Sequence, residues 1–237
     1  AEAKADPIEF RKKYLDDKRG LELIERLVSL SKWQTRPSPD RSQSGDVMMG
    51  RGMSYVKYEL ARTYVGAVAD VEVNRVTGKV RVTRFYLVQD CGQIINPDGV
   101  KAQLDGNVIQ TVSRTLMEEV KWNRSMVTTL DWVSYPIITF PDVPQLAYDL
   151  IDRPNERPWG AGEPAAAVVP SAIANAVFAL VLFRLPTMWL ALLAAALLAA
   201  TVRVALDFDT LDLGARPETF LPAFPRIFLA FTLGMLA

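Results

Sequence analysis

The sequence predicts an α+β fold: a β-hairpin and mixed sheet packed with helices, followed by one or two apolar, candidate transmembrane helices. Three observations carry this expectation. β-Branched and aromatic residues flank Thr77-Gly78 with strand-like alternation, and apolar residues recur at helical spacing from Val100 to Leu116. Near residue 181 the composition then changes abruptly to an Ala- and Leu-rich tract.

The elements follow in order. In "DPIEFRKKYLDDKRGLELIERLVSLSKW", Asp6 is an N-cap and Pro7 a first helical residue, with Gly20 expected to break the run into two short helices. Residues 34–52, rich in Pro, Ser and Gly, read as an irregular connection. Alternation at Val71 and Val73, then at Val80 and Val82, predicts a hairpin about Thr77-Gly78. Val100, Leu104, Val108, Val112 and Leu116 predict a helix over 99–117 with Asp98 as its cap. "YPIITFPDVPQLAYDLID" reads as extended chain broken by prolines and ending in a short strand, before a turn over 153–159. Small residues over 164–180 predict a closely packed helix.

Composition excludes several chemistries. Lys+Arg and Asp+Glu are equal at 27 each, so no global basic field points to nucleic acid as a partner. With no histidine and the single cysteine Cys91, the chain has no disulfide framework, His-based zinc site or Ser-His-Asp system. The N-terminus lacks the basic and apolar regions of a signal peptide, and the missing initiator Met suggests a fragment.

The segment "WGAGEP" carries the candidate chemistry. Gly160 and Gly162 allow backbone to approach a bound group, and Glu163 follows them. If Pro164 opens the next helix, the helix N-terminus favours the ionised carboxylate, which suits a general base; a capping acid is the alternative reading. Gln103, Asn107, Gln110 and Arg114 form a polar stripe opposite the apolar face of the 99–117 helix. Uncharged amides there suit a polar ligand, and an ordinary solvated face explains them equally. Cys91, in the turn "QDCGQIINPDG", reads as a small buried residue, since no base is near it in sequence.

The ordered set "GRGMSYV", "DCGQIINPDGVKAQLDGNVIQTVSRTLMEEV", "TLDWVSYPIITFPDVP" and "WGAGEPAAAVVPSAIANAVF" resembles the C-terminal part of the molybdopterin-binding large subunit of the xanthine dehydrogenase and aldehyde oxidase family. Its isoquinoline 1-oxidoreductase and nicotinate or aldehyde dehydrogenase types are the nearest. The resemblance runs from about Asp6 to Phe178 and implies a fragment of a molybdenum hydroxylase that oxidises an N-heterocycle or aldehyde, with water as oxygen source. It implies that Glu163 is the catalytic base, and that Gln103, Gln110, Gly160, Ala161 and Gly162 bind the cofactor. The metal is carried by the dithiolene of molybdopterin, in its cytosine dinucleotide form, so no protein metal ligand is expected. A small iron–sulfur subunit is the implied electron-transfer partner, and the isolated chain is expected to be inactive. Thr111 departs from the family's commoner glycine, which leaves the contact geometry at Gln110 open.

The expected division is a C-terminal portion of a molybdopterin-binding catalytic domain over 1–180 and an apolar tail over 181–237. Residues 185–202 are uncharged between Arg184 and Arg203, 18 residues at the lower limit for crossing about 30 Å of hydrocarbon. Membrane association through 185–202, a buried helix and an artefactual gene junction all remain open readings. The alternative function is a membrane-anchored or transporter-related protein that carries a non-catalytic remnant of the hydroxylase domain.

Overall fold

β2 (Thr63–Asn74) is buried along nearly its whole length because helices cover both faces of the sheet in which it sits. The computed structural model describes residues 5–35, 43–60, 62–181, 192, 195–200 and 202–203. Ala5–Leu180 form one of two units in the chain. Its four-stranded sheet runs in the order β1 (Val47–Tyr58), β2, β3 (Val80–Asp90) and β4 (Gln145–Ile151). The first three strands pair antiparallel and β4 joins β3 in parallel, so the sheet is mixed, as expected.

α1 (Pro7–Tyr14) and α2 (Lys18–Ser31) cover one face. Asp6 caps α1, with Oδ1 accepting from Ile8 N at 2.8 Å, as the sequence predicts. The interruption between the helices, however, lies at 15–17 and not at Gly20. Asp17 is the true N-cap of α2, and Gly20 lies in its first turn. A Cβ at Gly20 would meet the Tyr55 hydroxyl at 2.3 Å, so this glycine serves close packing. Leu23, Ile24 and Leu27 then fall on the buried side at the spacing a helix requires.

The second face carries α3 (Pro97–Leu116), a short 3-10 helix over Pro164–Ala167 and α4 (Val169–Val181). The cap of α3 is Asn96, whose Oδ1 accepts from Gly99 N at 2.9 Å, and not Asp98. Pro97 at the first helical position lacks an N–H and has a helix-compatible φ, which moves the start of α3 ahead of Asp98. The reading of 34–52 as irregular also fails from Val47 onward, because β1 begins there. Glycines at 50 and 52 disguise this strand, yet they let α4 lie against it. A Cβ at Gly52 would sit 2.2 Å from Ala172 O and 2.3 Å from Ala176 N. The expected hairpin does form, with Val73 opposite Val80, and a bulge at Asp70–Val71 brings Val82 and Phe85 into the same apolar cluster.

The expected apolar helices over 181–237 fall largely outside the described residues. Among the described residues, no helix is long and apolar enough to cross a membrane.

Gly52→Ala is expected to lower stability by about 1–3 kcal/mol, read by urea unfolding, because the obstructing atoms are backbone. A second expectation concerns acid. Asp17 accepts from Lys57 Nζ at 2.6 Å and Tyr64 Oη at 2.8 Å; burial opposes ionisation, but these contacts and the Gly20 N–H hold its carboxyl at about 2. The unfolded chain therefore takes up the proton first, so stability from these contacts is complete above about pH 4 and is lost as pH falls through about 2. Asp17→Asn keeps a capping side chain and should flatten the acid side of a stability–pH curve.

Candidate active site

The site forms where β3 and β4 end side by side. Asp90, the last residue of β3, is fully buried. Its Oδ2 accepts from Arg19 Nε at 2.8 Å and Arg153 Nε at 2.6 Å, and its Oδ1 accepts from Arg19 Nη2 at 2.5 Å. Burial would raise this carboxyl, but the two guanidiniums and the Gly92 N–H outweigh it and keep the group below the usual carboxylate range. Gly92 turns the chain with φ +78°, and a Cβ there would lie 2.1 Å from Arg157 O. Only glycine therefore lets the segments leaving the two strands run so close.

The loop over 159–163 is held at successive points. Trp159 N donates to Cys91 O at 2.8 Å, and Thr63 Oγ1 donates to Gly160 O at 2.9 Å. Asn107, nearly buried on α3, donates through Nδ2 to Gly162 O at 2.7 Å and accepts at Oδ1 from Ala166 N at 3.1 Å. One amide thus ties α3 to both the loop and the 3-10 helix after it. Glu163 is exposed, and its Oε1 accepts from Tyr58 Oη at 2.6 Å. Tyr58, Arg62, Thr63, Trp159, Gly160 and Glu163 line a cleft of about 280 Å³.

The expected site residues separate into two groups. Gly160, Ala161, Gly162 and Glu163 are consecutive, and the Gln103 side chain stands beside them, with Oε1 3.6 Å from a Cβ built on Gly162. Gln110 is exposed on the same helix about 10 Å further along the axis, so Asn107 is the amide that meets the loop backbone. Pro164 begins a four-residue 3-10 turn and not α4, and the Glu163 side chain makes no capping bond. The contact holding the carboxylate is the Tyr58 phenol, not a helix N-terminus. Cys91 is buried, and its thiol is pushed up chiefly by that burial, in line with its structural reading.

Tyr58 and Thr63 are functional candidates that the sequence reasoning did not identify. For Tyr58 the available signal was the run "GMSYVKY", which adjoins a glycine-rich stretch read as irregular; Thr63 opens the strand-like run "TYVGAVADVEV".

Residues 60–144 match a family model described as a molybdopterin cofactor-binding domain. A nicotinate dehydrogenase subunit of Pseudomonas putida is 40% identical over 183 residues, covering 74% of this chain and 15% of the relative. This part of the chain belongs to the molybdopterin-binding subunits of the xanthine dehydrogenase family. The beta subunit of isoquinoline 1-oxidoreductase from Brevundimonas diminuta is 31% identical over 149 residues, 62% of this chain and 18% of that protein. An aldehyde oxidoreductase molybdenum-binding subunit of Escherichia coli is 31% identical over 123 residues, 49% of this chain and 17% of that protein. The chain therefore spans less than one fifth of the length of these relatives. The matched molybdopterin-binding region contains β2, β3 and α3, the elements that support the Glu163 loop from below.

Asn107→Ala would leave Gly162 O and Ala166 N without their side-chain partner. A loss of about 1–3 kcal/mol is expected in thermal unfolding, with faster hydrogen exchange at the Ala166 amide. Asn107→Asp keeps the acceptor but sets a carboxylate oxygen against Gly162 O, and should be at least as destabilising as the alanine variant.

Proposed function

We propose that the chain is part of a molybdenum hydroxylase that oxidises an N-heterocycle or an aldehyde, takes its oxygen from water, and uses Glu163 as general base. The observation that carries this reading is a carboxylate on a loop whose backbone is pinned at Trp159, Gly160, Gly162 and Ala166. The names of the relatives supply the substrate classes, including nicotinate, isoquinoline and aldehyde.

The residues fit such a cofactor. A Cβ at Gly160 would meet no atom of the described chain within 4 Å, so its backbone is open to a large group, and the neighbouring Gln103 offers an uncharged amide. Gln103, Gln110, Gly160, Ala161 and Gly162 are the residues assigned to the pterin, in its cytosine dinucleotide form. When bound, the molybdenum cofactor supplies the two-electron acceptor and the oxygen drawn from water; electrons leave through a small iron–sulfur subunit.

The chain's own part is orientation and proton transfer. With Oε1 engaged by Tyr58, Oε2 of Glu163 has no hydrogen-bond partner among the described residues and is the atom that takes up the proton of the attacking oxygen. Asn107 and Thr63 hold the loop still while it does so, so little reorganisation accompanies the transfer.

In the complete, cofactor-loaded large subunit, Glu163→Gln should leave cofactor content unchanged and lower turnover by roughly 10²- to 10⁴-fold, because the amide matches the shape but not the proton affinity. Turnover near the native rate would remove Glu163 from the mechanism.

A further inference from the structure

The tip of the β1–β2 hairpin grips the catalytic loop from both strands. Tyr58 and Thr63 are paired across the two strands, where β1 ends and β2 begins. Both side chains reach the loop, the phenol at Glu163 Oε1 at 2.6 Å and the threonine hydroxyl at Gly160 O at 2.9 Å. Arg62, in the same turn, lays its guanidinium over the Trp159 ring at 5.2 Å. One tight turn thus touches three of the five residues from Trp159 to Glu163.

The turn is strained in a way that suits such a role. Glu59 and Leu60 have φ of 44° and 59°, a left-handed region that residues with a Cβ rarely adopt. Leu60 is fully exposed, so no burial of its side chain compensates for this conformation. The Arg62 N–H donates to Tyr58 O at 3.2 Å, which closes the turn and places Tyr58 opposite Thr63.

We infer that Tyr58 is a positioning residue for Glu163: its hydroxyl fixes Oε1 and leaves Oε2 as the proton acceptor. This rests on the general-base reading of Glu163. The phenol is suited to remain the donor, because the hydrogen bond to Glu163, with burial and the carboxylate's charge behind it, pushes its own ionisation up. A donor held against one carboxylate oxygen fixes the orientation of the group, and deleting the hydroxyl frees the side chain to rotate. Thr63 acts differently, anchoring the backbone at Gly160 without touching the carboxylate.

The test uses the complete, cofactor-loaded subunit. Tyr58→Phe is expected to keep cofactor content and lower kcat/KM about 10-fold, as loss of a hydrogen bond to a charged group requires. In the Glu163→Gln background the same substitution should cost nothing further. Infrared difference spectra, native minus Tyr58→Phe, should show a carboxylate band that is absent when both proteins carry Glu163→Gln, whether or not cofactor is bound. Thr63→Val should lower the rate without producing that carboxylate band, because Thr63 bonds Gly160 O and not the carboxylate.

The two ways of failing are distinguishable. If Glu163→Gln keeps native turnover, the general-base reading falls and takes this inference with it. If Glu163→Gln is crippled but Tyr58→Phe changes neither kcat/KM nor the carboxylate band, the role of Tyr58 alone is overturned. A Tyr58→Phe rate loss that persists undiminished in the Glu163→Gln background overturns it as well.

Discussion

At the end of β3 a carboxylate with no solvent exposure lies between the guanidiniums of Arg19 and Arg153, and the geometry of the site descends from that contact. A lone buried carboxylate is very costly, and even a buried ion pair is weak evidence of net stability, since desolvation consumes most of the attraction. What the contact does supply is registry. Asp90 pairs with Ile151 across parallel strands, Arg19 comes from α2, and Arg153 lies two residues beyond β4. Three segments distant in sequence are thereby fixed at one point, from which the turn into α3 and the loop to Glu163 both depart. Removing Asp90 would leave the two guanidiniums without the carboxylate between them, and removing either arginine would leave that buried carboxylate with only one.

From that anchor the loop is built mainly by backbone contacts. Cys91 O, Thr63 Oγ1 and the Asn107 amide each engage main-chain atoms of the loop or of the turn after it, so its path depends little on its own side chains. This frees Gly160 and Gly162 to lack side chains altogether, leaving a surface that a large planar group can approach. Glu163 is then the one ionisable side chain from Trp159 to Pro164, on a backbone that cannot easily turn away.

Much of this could be read in the sequence where a local rule governs. The hairpin about Thr77-Gly78 and the α1 cap at Asp6 each follow from residues within a few positions of one another, and the structure retains both. Readings failed where distant packing overrode the local signal. Gly20 looked like a helix break, but it admits Tyr55; Gly50 and Gly52 looked like loop, but they admit α4. Pro164 looked like the start of a long helix, yet it opens a separate 3-10 turn beneath the Asn107 amide.

The sequence by itself determined the Thr77-Gly78 hairpin, the helix over 100–116 and the presence of a glutamate after two glycines, because backbone dihedral preference and periodicity act over short distances. Only the tertiary structure decided which groups surround that glutamate. Tyr58 and Glu163 are separated by 105 positions, and Asn107 and Gly162 by 55; no local preference encodes either meeting. Those contacts exist because the sheet register and the buried Asp90 ion pair bring the strand ends, α3 and the loop to one place, and long-range packing of that kind is a property of the folded chain as a whole.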